Sequence, residues 1–121
     1  MKRKRLDEII RVDHAGEHGA IAIYKGQLSA LNLIGDKKTS FIISEMAEGE
    51  KVHAKEFDRL VKERKTRPTA LMPLWNLAGY TLGVMSVIGG KDSVMACTEA
   101  VEEIIDKHYS DQIEELESSG Q

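Results

Sequence analysis

The stretch EMAEGEKVHAKEF, Glu45 to Phe57, decides how the chain reads. It belongs to a longer pattern: Ile43, Met46, Glu50, His53, Phe57 and Leu60 recur at spacings of three and four residues. That is the inward stripe of a bundle helix. An acid and an imidazole occupy its middle, where apolar side chains belong. A buried ionised carboxylate costs roughly several kcal/mol unless a cation compensates it. The spacing therefore predicts a helix, and the stripe predicts a positive charge beside it.

Working outward, the chain divides into four helical segments. The first is expected from Leu6 to Leu33, closed by Gly35-Asp36. The second runs from an N-cap at Thr39 or Ser40 to about Lys65. Arg67-Pro68-Thr69 ends it, because the residue before proline disfavours helix. An apolar third helix spans about Leu74 to Ile88 and stops at Gly89-Gly90. The fourth starts at Asp92 or Ser93 and reaches about Glu117, leaving Ser118-Ser119-Gly120-Gln121 as a frayed tail. Nothing alternates with period two, so the fold class is all-α.

Two other stripes also carry an acid. In the first helix, Ile10, Glu17, Ile21, Tyr24, Leu28 and Leu31 share a face; in the fourth, Met95, Glu102, Ile105, Tyr109 and Leu116 do. No lysine or arginine lies on these stripes. A di- or trivalent cation fits, and carboxylates with an imidazole suit first-row metals such as iron or manganese. Glu50 and His53, three apart on one helix face, present two ligands from one segment. Ferritin-like di-iron bundles use one Glu from each of two helices and a Glu-x-x-His from each of two others. Here only Glu17, Glu50, His53 and Glu102 answer that pattern. Other readings stay open at this point. A single Glu-x-x-His arises by coincidence in a Glu- and Lys-rich helix, and helical phase leaves either Glu102 or Glu103 facing inward. His14 and His108 also read as satisfied buried histidines, and Tyr24 and Tyr109 as core aromatics with bonded hydroxyls.

Composition bounds the rest. The 121 residues suit a single domain, 31% of them are charged, and the net charge is −3, so nucleic acid is not an expected partner. The basic start through Arg5 reads as a solvated helix start. Cys97 alone allows no internal disulfide. No signal peptide is visible. The charge-free run 68–90 is long enough to cross a bilayer nominally, but Pro68, Pro73, Gly79, Gly83, Gly89 and Gly90 interrupt it. It reads as a buried or interfacial helix, and Gly79-x-x-x-Gly83 allows close approach to another helix or to lipid.

The strings RVDHAGEHGAIAIYKGQ (Arg11–Gln27), EKVHAKEF (Glu50–Phe57), RPTALMPLWNLAGYTLG (Arg67–Gly83) and VMACTEAVEEIIDKHYSDQI (Val94–Ile113) resemble, in order and spacing, the demethoxyubiquinone hydroxylases of ubiquinone biosynthesis. The resemblance covers nearly the whole chain. It implies a ferritin-like bundle with a carboxylate-bridged di-iron centre that activates O₂ and hydroxylates 5-demethoxyubiquinol, a polyprenylated benzoquinol. By motif it makes Glu17 a terminal iron ligand, Glu50 a bridge, His53 the imidazole on the iron of Glu17, and Glu102 a terminal ligand of the second iron. It places His108 and Tyr109 between quinone ring and metals. Leu71 to Ile88 would line the quinone channel and meet a membrane surface. That surface is the cytoplasmic face of a bacterial inner membrane, or the mitochondrial inner membrane in a eukaryote; the absence of a visible transit peptide favours the bacterial one.

The departures are equally informative. The family continues into a helix with a second Glu-x-x-His, which residues 1–121 lack, so the expectation is a ferritin-like domain without its last ligand-bearing helix. A separate chain carrying that helix, a longer parent protein, or a non-catalytic quinone- or lipid-binding scaffold within the ubiquinone biosynthetic complex each accommodate this. His18 stands where the family often has an aromatic.

Overall fold

The structure, a computed structural model, describes residues 3–119 and contains four helices in the expected order. They are α1 (Arg3–Ile34), α2 (Lys37–Glu63), α3 (Met72–Ile88) and α4 (Lys91–Ser118). No strand occurs among the described residues, and the all-α assignment stands. Met1, Lys2 and the Gly120-Gln121 part of the expected tail lie outside the described residues.

α1 is the hub. It packs on α2, α3 and α4, and buries residues on nearly every side, from Ile9 to Leu31. Tyr24, Leu31, Ile43 and Val94 form the closed centre of the core. Hydrophobic burial of this kind is the main favourable contribution to a bundle.

Helix ends account for the corrections to the sequence reading. Gly35, at φ +77°, ends α1 in a Schellman turn: Asp36 N–H donates to Leu31 O and Gly35 N–H to Asn32 O. The turn is so tight that Asp36 itself caps α2, its Oδ1 accepting from Thr39 N–H at 3.0 Å. Thr39 and Ser40 are therefore inside α2, not at its cap. α2 ends in a second Schellman turn with Lys65 at φ 55°, Thr66 N–H reaching Val61 O. At the other junction Gly90, at φ +90°, is the N-cap of α4; Asp92 sits in the first turn, and neither it nor Ser93 is the cap.

The Gly79-x-x-x-Gly83 pair meets a helix. A Cβ on Gly83 would run into the Ile23 carbonyl, and one on Gly26 into the Tyr80 carbonyl. These two glycines bring α1 and α3 into backbone contact. α3 starts two residues earlier than expected, at Met72, with Pro73 in its first turn. Its outer side is bare: Leu74, Leu77, Tyr80, Met85 and Ile88 are exposed. Among the described residues no helix is long and apolar enough to cross a membrane.

Ion pairs fasten the helix ends. Arg5 donates from Nε and Nη2 to the two oxygens of Glu115, both at 2.8 Å, joining α1 to α4; Arg64 reaches Asp7 at 2.6 Å, joining α2 to α1. Arg5 is thus exposed and paired. Cys97 is a free, half-buried thiol.

Candidate metal centre

Three of the four expected metal ligands converge. α1 contributes Glu17 and α2 contributes Glu50 and His53, with ligand atoms all within 4.8 Å of one another. His53 Nδ1 lies 3.6 Å from Glu50 Oε2 and 3.8 Å from Glu17 Oε2. The glutamates are buried, but the His53 side chain is 59% exposed. His53 does not point into the core, as its stripe position predicts; it closes the cluster from the rim, on the open side between α2 and α4.

Glu102 lies next to Glu50 but outside the three-residue group. The ambiguity of phase resolves cleanly: Glu102 is half-buried and faces inward, while Glu103 is exposed. Tyr24 donates its hydroxyl to Glu102 Oε1 at 2.6 Å, and Tyr109 donates to Glu17 Oε1. Burial first, then these carboxylates, pushes both phenols above their ordinary range. Both tyrosines stay protonated donors. Glu50, between the two other acids, is pushed far above the usual carboxylate range by burial and then by Glu17 and Glu102. It carries a proton in the metal-free cluster.

The residues fit a cation. With the carboxyls ionised, Glu17 Oε2 and Glu50 Oε2 are buried without a donor, an arrangement that folded proteins avoid unless a proton or a cation satisfies the atoms. Both orphaned oxygens face the same imidazole nitrogen. Oxygen donors with one imidazole suit iron or manganese.

Two cavities flank the cluster. One of about 630 Å³ lies between α1, α3 and α4, with Glu17, Tyr109 and His108 on its wall and Trp75, Leu71, Leu82 and Ile104 toward its mouth. Its size is that of a small-molecule site. The other, about 360 Å³, is a groove walled by Ile9, His53, Phe57, Ile113 and Leu116. Tyr109 stands between the two, its ring stacked on Phe57 at 6.1 Å. His108 is exposed, lining the first cavity without joining the glutamates.

Sequence reasoning assigned no role to several residues that hold this arrangement. Gln112 donates to Asp13 Oδ1 at 2.7 Å, tying α4 to α1 one turn from the Tyr109–Glu17 contact. Burial pushes Asp13 up to about 6, against the pull of Gln112 and His108. Trp75 donates its indole N–H to Ala15 O at 2.8 Å, and Arg11 donates to Thr66 Oγ1 and Arg67 O, both at 2.9 Å. The i, i+4 spacing of Asp13 to Glu17 and the i, i+3 spacing of Tyr109 to Gln112 were the available signal. His14 and His18 both approach Asp58; burial alone would raise that carboxyl, but hydrogen bonds from His18 and His14 hold it below its usual range.

A helical bundle that gathers buried carboxylates and an imidazole beside an apolar cavity defines a class, the carboxylate–histidine metal-site bundles. Within it the chain belongs to the family described as "Ubiquinone biosynthesis protein COQ7", which matches residues 4–121. A protein of Dictyostelium discoideum named "NADPH-dependent 3-demethoxyubiquinone 3-hydroxylase, mitochondrial" is 48% identical over 120 residues, 99% of this chain and 54% of that protein. The "3-demethoxyubiquinol 3-hydroxylase" of Rhodospirillum rubrum is 46% identical over 112 residues, 92% of this chain and 51% of its own length. A third, the "5-demethoxyubiquinone hydroxylase, mitochondrial" of Saccharomyces cerevisiae, is 38% identical over 112 residues, 92% of this chain and 47% of that protein. The chain spans about half the length of the curated relatives it matches. The family read from the Asp-His-Ala-Gly-Glu, Arg-Pro-Thr and His-Tyr-x-x-Gln strings is borne out.

Proposed function

We propose that this chain carries the quinone-binding and first metal-binding parts of a demethoxyubiquinol hydroxylase in ubiquinone biosynthesis. The observation that carries the reading is the pair of orphaned oxygens, Glu17 Oε2 and Glu50 Oε2, set beside an apolar cavity of about 630 Å³. Glu17, Glu50 and His53 would hold iron, with Glu102 adjacent as a ligand toward a second ion. Iron bound there supplies O₂ activation for hydroxylation of the ring. Tyr109 fixes the orientation of Glu17 through its hydroxyl. The cavity would hold the quinol ring near His108 and Tyr109, so the chain's contribution is chiefly proximity and orientation.

In the overall reaction one oxygen atom of O₂ replaces a ring hydrogen and the other leaves as water, with two electrons and two protons from a reductant. The prenyl tail would leave past Leu71, Trp75 and Leu82 toward the bare face of α3. That face is the surface we assign to the membrane, at the bacterial inner membrane or its mitochondrial counterpart. The groove beside His53 is the side from which further ligands would enter, from another segment or a separate chain.

The test uses the chain's single tryptophan, which lines the cavity. Anaerobic Fe(II) titration, read by metal analysis, and quenching of Trp75 fluorescence by a short-chain demethoxyquinone are measured on the purified chain. Iron bound by the wild type and lost in Glu50→Ala, together with saturable quenching, supports the reading. Quenching without iron, even under reductant and excess Fe(II), sinks the catalytic part and leaves a quinone-binding scaffold. Iron without quenching removes the quinone part.

A further inference from the structure

Away from the glutamate cluster, α1 and α2 bring together a second set of ligand-type side chains: His14, His18 and Asp58. His14 Nε2 lies 2.6 Å, and His18 Nε2 2.9 Å, from the same atom, Asp58 Oδ1. The two imidazoles occupy successive turns of α1, with ring centres 4.5 Å apart and planes tilted by 52°. Histidines at i and i+4 are the spacing by which one helix offers two nitrogens to a single ion. Asp58 supplies the third donor from the facing helix. Exposure is graded across the cluster, the side chains being 8%, 30% and 51% exposed in that order. One wall is closed and the other is open to solvent. Three protein donors with an open side form the geometry that holds a metal and leaves a position for water.

We propose that His14, His18 and Asp58 form a second metal site, separate from the glutamate cluster, which takes a borderline divalent cation such as zinc and clamps α1 to α2. The donor sets of the two sites differ in kind. Two imidazoles with one carboxylate suit a borderline divalent cation, zinc and Fe(II) among them, whereas the oxygen-rich set of Glu17, Glu50 and His53 favours harder ions such as iron or manganese. The required movement is small. Donors about 2.0–2.1 Å from a tetrahedral zinc stand roughly 3.4 Å from one another. Each nitrogen must therefore separate from Asp58 Oδ1 by less than about 1 Å, within reach of a rotation of the half-exposed Asp58 side chain. His18 makes the difference between a pair and a triad.

The test is calorimetric titration of ZnCl₂ into the 121-residue chain carrying Glu50→Gln, which disables the glutamate cluster. One zinc equivalent should bind and raise Tm. Adding Asp58→Asn or His18→Phe should weaken that equivalent by about tenfold or more and remove the Tm increase, with helicity by circular dichroism unchanged. No zinc bound by the Glu50→Gln chain overturns the site. So does equal zinc affinity with and without Asp58→Asn, a substitution at a half-exposed side chain that keeps its size. If His18→Phe disturbs folding, Asp58→Asn alone decides.

Discussion

Tyr109 donates its hydroxyl hydrogen to Oε1 of Glu17, while Oε2 of the same carboxylate has no hydrogen-bond partner and faces His53. One oxygen is anchored from α4 and the other is left for a cation. A group that orients a ligand in this way is commonly worth about 10–100-fold in metal affinity. Tyr109→Phe should weaken Fe(II) binding by that factor without lowering helicity. Equal Fe(II) affinity in wild type and variant would show that Glu17 is oriented without Tyr109.

Glu50 sets the pH response of the metal-free chain. Its carboxyl is raised in the folded state by burial, then by Glu17 and Glu102. Below the ordinary glutamate value of 4.5 both folded and unfolded chains hold the proton, and no cost arises. Above it the unfolded chain ionises while the folded one does not, so stability falls as pH rises toward the raised folded value. Thermal melts of the metal-free chain should show Tm dropping by roughly 5 °C between pH 5 and pH 8. Glu50→Gln should flatten that slope while losing iron. A Tm that rises over the same interval would contradict a protonated Glu50.

Gly83 and Gly26 set the separation of α1 and α3. Gly83→Ala forces the backbones apart and should destabilise by about 3 kcal/mol or more. Trp75 fluorescence should shift as the cavity widens. Denaturant melts with an unchanged midpoint would refute the close contact.

Lys65 holds a left-handed conformation that costs an L-residue about 1–2 kcal/mol. Lys65→Gly should stabilise the chain by roughly 0.5–1 kcal/mol, the remainder being offset by glycine's greater freedom when unfolded. Urea midpoints provide the measure. A loss of stability would mean that the lysine side chain contributes more than the strain costs.

Helical periodicity made much of this legible in advance. Three stripes each with a mid-stripe glutamate located Glu17, Glu50 and Glu102, because repeats of three and four residues define a face without reference to partners. Such repeats do not say how much of a face the neighbouring helices cover. His53 lies on the right face and still ends up at the rim, since α4 meets α1 rather than closing over α2. Caps were misplaced where a turn used its residues twice: Asp36 ends one connection and opens the next helix. The ties from Gln112 to Asp13 and from His14 and His18 to Asp58 join residues far apart in the chain. A shared helix face can place such residues near the site, but no local pattern names their partners.

The connection at Gly35-Asp36 has a further consequence. Glu17 and His53 are equally far from Gly35 along the chain, and His14 and Asp58 are equally far from Asp36. The hairpin acts as a ruler whose zero is the turn, and both clusters are marks read off in opposite directions. One residue inserted between Glu17 and the turn would carry Glu17 about 100° around its helix and about 1.5 Å along it, out of register with Glu50. Substitutions can be absorbed along these two helices, but their lengths cannot drift. For this pair the count of residues is as much part of the site as the ligands themselves.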